Sequence, residues 1–165
     1  MRTPIETAVA AMILALTAAA ALAQDDEREA ILAVMERAFH AVGSGNPDDM
    51  RAIQLADGTS LSFRAHPNGM PGELLMRMSS NEELLAGADD SGGRFEERWT
   101  ASPTVLIRGP IAVVWGEYEF RIDGAFSHCG IDAVDLVRID GAWKIANWMW
   151  TVEKDNCPTD PSRTH

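Results

Sequence analysis

The sequence predicts an α+β fold: N-terminal helices packed on a strongly curved antiparallel sheet. Three observations carry this expectation. Residues 25–42 repeat apolar side chains at helical spacing, residues 111–152 read as three strands joined by two Asp-Gly turns, and the helices precede the strands in the chain.

The chain opens with Arg2, an apolar run from Ala8 to Ala23 interrupted only by Thr17, and the small-x-small ending Ala21-Leu22-Ala23. This is the pattern of a secretory signal peptide over 1–23, cut before Gln24. The run is shorter than the roughly 20 residues that a bilayer-spanning helix needs. Export to the periplasm or outside the cell is expected, with no membrane attachment after cleavage. Roughly 140 residues then remain, enough for one domain with one core, placed at 24–157 and followed by a disordered tail at 158–165.

Within that domain, Ile31, Val34, Met35, Ala38, Phe39 and Val42 line one side of an amphipathic helix. Gly43-Ser44-Gly45 ends it, and Asn46-Pro47 starts a short second helix with Asn46 as cap. Short strands are expected over 61–64 and 74–78, on either side of a turn-rich loop. Ser80 and Glu83 form a capping box that opens a brief helix through Ala88. A flexible loop over 89–93 leads into a half-exposed strand from Arg94 to Arg108, interrupted by Pro103.

The meander is the most informative stretch. With two-residue turns at Asp123-Gly124 and Asp140-Gly141, counting outward puts Val114, Tyr118, Phe120, Asp135, Lys144, Trp148 and Trp150 on one face. The opposite face receives Trp115, Glu119, His128, Asp132, Trp143 and Ile145. Neither face is simply polar, so both are expected to be covered, one by helices and the other by a second copy in a homodimer. Gly116 and Gly130 are each compatible with a bulge, and one bulge would swap the faces beyond it.

The segments VWGEYEF, DGAFSHCGIDAVDLV and DGAWKIANWMWTVEKDNC resemble the nuclear transport factor 2-like superfamily, which implies a cone-shaped, cystatin-like α+β fold. SHCGID with the downstream DNC is similar to an exported branch labelled lumazine-binding or polyketide-cyclase-like (SnoaL-like). In the ketosteroid isomerase relatives a strand ending Asp-x-x-Arg-x-Asp sends its first Asp into the cavity as a hydrogen-bond donor. Residues 135–140 match that pattern, so the resemblance assigns the role to Asp135 and points Trp148 and Trp150 into the same cavity. The isomerase's catalytic base and its first-helix Tyr have no counterpart, since Phe39 and His40 stand where a polar group is wanted.

A carboxyl at Asp135 among apolar neighbours would be held toward its protonated, donating form, with Tyr118 as a second donor. Phe39, Tyr118, Phe120, Asp135, Trp148 and Trp150 are therefore the candidate ligand-binding residues, and Asp135 and Tyr118 the candidate catalytic pair. Glu119, His128 and Asp132 form a second polar cluster, read either as acid–base machinery or as a buried group fixing register. Lys144, diagonal to Asp135, reads most simply as its cross-strand ion pair.

Cys129 and Cys157 are an even pair in an exported chain, which favours a disulfide. Their spacing does not suit a metal site, and no cofactor motif is present. A net charge of −11 argues against nucleic acid as a partner. Three readings stay open: a non-catalytic protein binding a small apolar or aromatic molecule, an acid–base isomerase, cyclase or dehydratase, and a structural dimer with a filled cavity.

Overall fold

The computed structural model describes the backbone of residues 4–86, 93–155 and 157, and side chains from residue 23 onward. Helix α1 (Pro4–Ser44) is followed by α2 (Pro47–Arg51), β1 (Gln54–Ala65), β2 (Leu74–Ser80), α3 (Asn81–Ala86), β3 (Phe95–Trp99), β4 (Thr104–Arg108), β5 (Ile111–Ile122), β6 (Ala125–Ile139) and β7 (Ala142–Val152). The predicted caps form as chemistry dictates. Asp48 N donates to Asn46 Oδ1 at 3.1 Å, while Ser80 and Glu83 exchange hydrogen bonds of 2.9 and 3.2 Å at the start of α3. The 89–92 part of the expected loop and the 158–165 tail lie outside the described residues.

The seven strands form one sheet in the order β2-β1-β7-β6-β5-β3, with β4 also paired to β5. The break around Pro103 divides the expected long strand into β3 and β4, which lie end to end along β5. β1 runs parallel to β7, while the other pairs are antiparallel. The expectation of a strongly curved, cone-shaped, purely antiparallel sheet is thus corrected: the sheet is mixed, open and not strongly curled. The reason is that hairpin turns fix only sequence neighbours, whereas β1 meets the last strand of the chain by tertiary docking.

Both Asp-Gly turns form with positive φ at each central residue, Asp123 52°, Gly124 79°, Asp140 51° and Gly141 81°. This twist joins two strands tightly. The registers counted out from them nevertheless break twice. On β6 Ser127 is an extra residue, because Phe120 pairs with His128 and Arg121 with Phe126. On β7 Ala146 is extra, because Asp135 pairs with Asn147 and Leu136 with Ile145. Each bulge shifts the pairing by one and exchanges faces.

Gly116 and Gly130 are not the bulges. A Cβ on Gly130 would lie 2.1 Å from the Thr151 carbonyl and 2.8 Å from the Tyr118 ring, and one on Gly116 would lie 2.8 Å from the Trp99 ring. They are bare so that aromatic rings can lie against the backbone.

Ile31, Met35, Ala38 and Phe39 of α1 are buried against one side of the sheet, where Val114, Val134, Leu136, Trp143, Ile145 and Trp148 complete the core. The opposite side carries a cross-strand row of Met78, Leu61, Met149, Ala133 and Trp115, of which Trp115 is 53% exposed.

Candidate functional site

A cavity of about 1180 Å³ opens between the C-terminal end of α1, α3 and the helix-covered side of the sheet. Phe95, Phe120, Trp148 and Trp150 supply aromatic wall, and Arg64, Glu97, Tyr118, His128 and Lys154 supply polar groups. Strand alternation explains the set. Ser60, Ser62 and Arg64 share one face of β1 and pair with Trp148, Trp150 and Val152. Asp132 stands opposite Trp150, Gly130 opposite Tyr118, and His128 opposite Phe120, whose other neighbour is Glu97.

Behind the cavity wall lies a carboxyl pair. Asp132 is fully buried and its Oδ1 accepts from Trp148 Nε1 at 2.8 Å. Its Oδ2 is shut off from water with no N–H donor within reach. Glu97 hydrogen-bonds to Asp132 carboxyl to carboxyl. Such a bond requires one proton between the two acids. Burial and then the Asp132 charge push Glu97 well above the carboxylate range, so Glu97 holds that proton. Burial raises Asp132 to about 7, against the opposing pull of the hydrogen bonds from Trp148 and Glu97. The pair therefore takes up or releases a proton near neutrality, with Glu97 as its cavity-facing member.

Tyr118 is 1% exposed and donates its hydroxyl to the Thr151 carbonyl at 2.7 Å. Burial, with the nearby acidic groups, holds it strongly protonated. Its proton is committed to the backbone, so the expected role as second donor is corrected. His128 stacks on Phe120 with ring centroids 4.8 Å apart and meets the edge of Tyr118 at 5.9 Å. Burial, then the charges of Lys154 and Arg64, lowers its pKa to about 4, leaving a neutral ring at pH 7.

The sequence-predicted residues distribute unevenly. Trp148, Trp150, Tyr118 and Phe120 line the cavity. Phe39 lies in the core behind it, 4.8 Å from Trp99 and 6.1 Å from Trp148 between ring centroids. Asp135 does not enter: the Ser127 bulge turns it to the outer face, where it is exposed and accepts from Asn147 Nδ2 at 3.1 Å.

Its expected partner Lys144 donates instead to the Ala52 carbonyl. The polar cluster of Glu119, His128 and Asp132 is split by the same shift. Asp132 and His128 face the cavity side, whereas Glu119 is buried on the other and meets Arg98 at 2.6 Å and Arg121 at 2.8 Å. Arg64, which the sequence offers as a contact for an anionic ligand or as a surface residue, lines the cavity, whereas Glu97 escaped the sequence reading as a site residue. The Phe95–Trp99 alternation is the only local signal for Glu97, and it gives a face without saying what covers it.

The Cys129–Cys157 disulfide forms, joining β6 to the segment after β7. Among the described residues no three His, Cys, Asp or Glu side chains are placed to hold a metal, and no helix is long and apolar enough to cross a membrane.

No protein-family model matches the sequence, and no curated protein matches it. Solved structures do. A nuclear transport factor 2-like superfamily protein from Salmonella enterica superposes with a TM-score of 0.61 at 11% identity, covering 86% of this chain and 99% of that one. The fold is that of the nuclear transport factor 2-like proteins.

A conserved protein from Planctomyces limnophilus gives 0.62 at 19% identity, over 78% of this chain and 97% of that one. A protein of unknown function with a cystatin-like fold from Nostoc punctiforme gives 0.57 at 13%, over 81% and 93%. At these identities the nuclear transport factor 2-like likeness carries the fold and no activity.

Proposed function

We propose that this chain is an exported, non-catalytic protein that binds a small apolar or aromatic molecule in the cavity beneath α1. The carrying observation is the cavity itself, about 1180 Å³, with Phe95, Phe120, Trp148 and Trp150 on its wall and Arg64, Glu97, Tyr118, His128 and Lys154 among its polar groups. Aromatic surface with convergent polar groups is what a small-molecule site requires. The signal-like segment over 1–23 supports export, and a net charge of −11 makes nucleic acid an unsuitable partner. The apolar row through Trp115 and Met149 supports a homodimer formed through the outer face, checked by sedimentation equilibrium, where a monomer at high concentration ends that part. The binding reading is tested by native mass spectrometry of protein purified from its own cell envelope. Retained small molecules are expected, and a cavity that neither retains nor exchanges any ligand refutes it.

One observation favours a second reading, acid–base catalysis on the bound molecule. Glu97 faces the cavity protonated, and Asp132 beside it titrates near 7, where proton transfer in both directions is easiest. In that case the identified ligand takes up deuterium from solvent on the wild-type protein and not on Glu97→Gln. Equal uptake on both rejects it.

A further inference from the structure

We propose that the end of the cavity bounded by Arg64 and Lys154 is a seat for a carboxylate, so that the ligand is an aromatic acid bound as its anion. This rests on the small-molecule reading above and names the ligand's chemical class. The chain is strongly acidic, yet among the described residues neither Arg64 nor Lys154 has a carboxylate within ion-pair distance. Arg64 has its Nε shut off from water with no acceptor. An arginine so placed carries an uncompensated desolvation cost, which a ligand anion meeting its forked N–H groups would offset.

The surrounding geometry leaves that task to a ligand. Arg64 sits on β1 opposite Val152, and Lys154 follows two residues later in the chain, both at the cavity lining. Their charges fall on His128, which is neutral and supplies no counter-charge. The acids that act on Tyr118 together with Arg64 are otherwise engaged: Asp132 binds Trp148 and Glu97, and Glu153 accepts from Thr151 Oγ1 at 2.7 Å. Phe120, stacked on His128 at 4.8 Å, and Trp150 line the same cavity as the two cations. An aromatic ring bearing a carboxylate satisfies both surfaces at once.

The test compares 2-naphthoate with its neutral amide, 2-naphthamide, by titration calorimetry of the mature protein at pH 7. We expect the acid to bind at least tenfold more tightly than the amide. Arg64→Met should remove that preference while leaving amide affinity within about twofold, and Lys154→Met, at an exposed position tolerant of change, should reduce it severalfold. Equal binding of acid and amide to the wild type overturns the carboxylate seat but leaves the small-molecule reading standing. A preference that survives both substitutions overturns it as well. Failure of both probes to bind at millimolar concentration counts against both.

Discussion

Replacing Asp132 by asparagine probes the carboxyl pair directly. Folding raises this carboxyl from an ordinary 3.8 to about 7. Between those values the folded chain holds a proton that the unfolded chain has released. The contribution of Asp132 to stability is therefore whole below about pH 4, falls as pH rises, and is fully lost once pH passes about 7. The shift corresponds to roughly 4 kcal/mol across that window.

Glu97, also raised, acts in the same direction. His128 acts oppositely: lowered from 6.5 to about 4, it adds stability as pH rises through that range. A wild-type curve alone would mix these effects, but the difference between wild type and Asp132→Asn removes His128, which does not touch Asp132. The introduced carboxamide would still accept from Trp148 Nε1 and could donate to Glu97. Urea unfolding at pH 4 should place the variant within about 1 kcal/mol of wild type, and at pH 8 it should gain about 2 to 4 kcal/mol relative to that baseline. A difference that does not change between pH 4 and pH 8 would refute the shared-proton account.

Three further outcomes rest on the bridge, a close backbone approach and the bulge. Removing the Cys129–Cys157 bridge as a Cys129→Ala/Cys157→Ala double variant should cost roughly 3 to 4 kcal/mol in urea unfolding, because it closes a loop with a sequence separation of 28; a loss under about 1 kcal/mol contradicts this. Gly130→Ala drives a methyl into the Thr151 carbonyl and the Tyr118 ring, and should destabilise by about 1 to 3 kcal/mol with altered Tyr118 fluorescence, whereas unchanged melting would mean that β6 and β7 separate freely there. Asp135→Asn, on the exposed outer face, should stay within about 0.5 kcal/mol of wild type and leave ligand affinity untouched; lost binding would mean that the Ser127 bulge is misplaced.

Much of the site was already written in local pattern. Tyr118 and Phe120 alternate on β5 and Trp148 and Trp150 on β7; the count that joins the two strands crosses both bulges, whose one-residue shifts cancel, so the four share a face although the count misplaces β6 between them. Asp135 failed because the count crosses Ser127, and nothing in DGAFSHCG distinguishes a bulged strand from a regular one. The second slip, at Ala146, is held from outside the meander. Asn81 Nδ2 donates to the Ala146 carbonyl at 3.2 Å, Gly58 lies so close that a Cβ would come within 1.8 Å of the same oxygen, and Asn147 Oδ1 accepts from Thr59 N at 3.0 Å. These partners come from β1 and α3, far away in sequence.

By itself the sequence determined the amphipathic helix, both helix caps, the two tight turns and the pairing of two cysteines, because each depends on residues close together or on a count of two. Tertiary structure alone decided that β1 joins β7 in parallel, and that Asp132 rather than Asp135 stands behind the cavity with Glu97 sharing its proton. Those outcomes depend on which backbone groups of distant segments find each other when the sheet assembles. A shift of one residue in that assembly turns every following side chain to the other face.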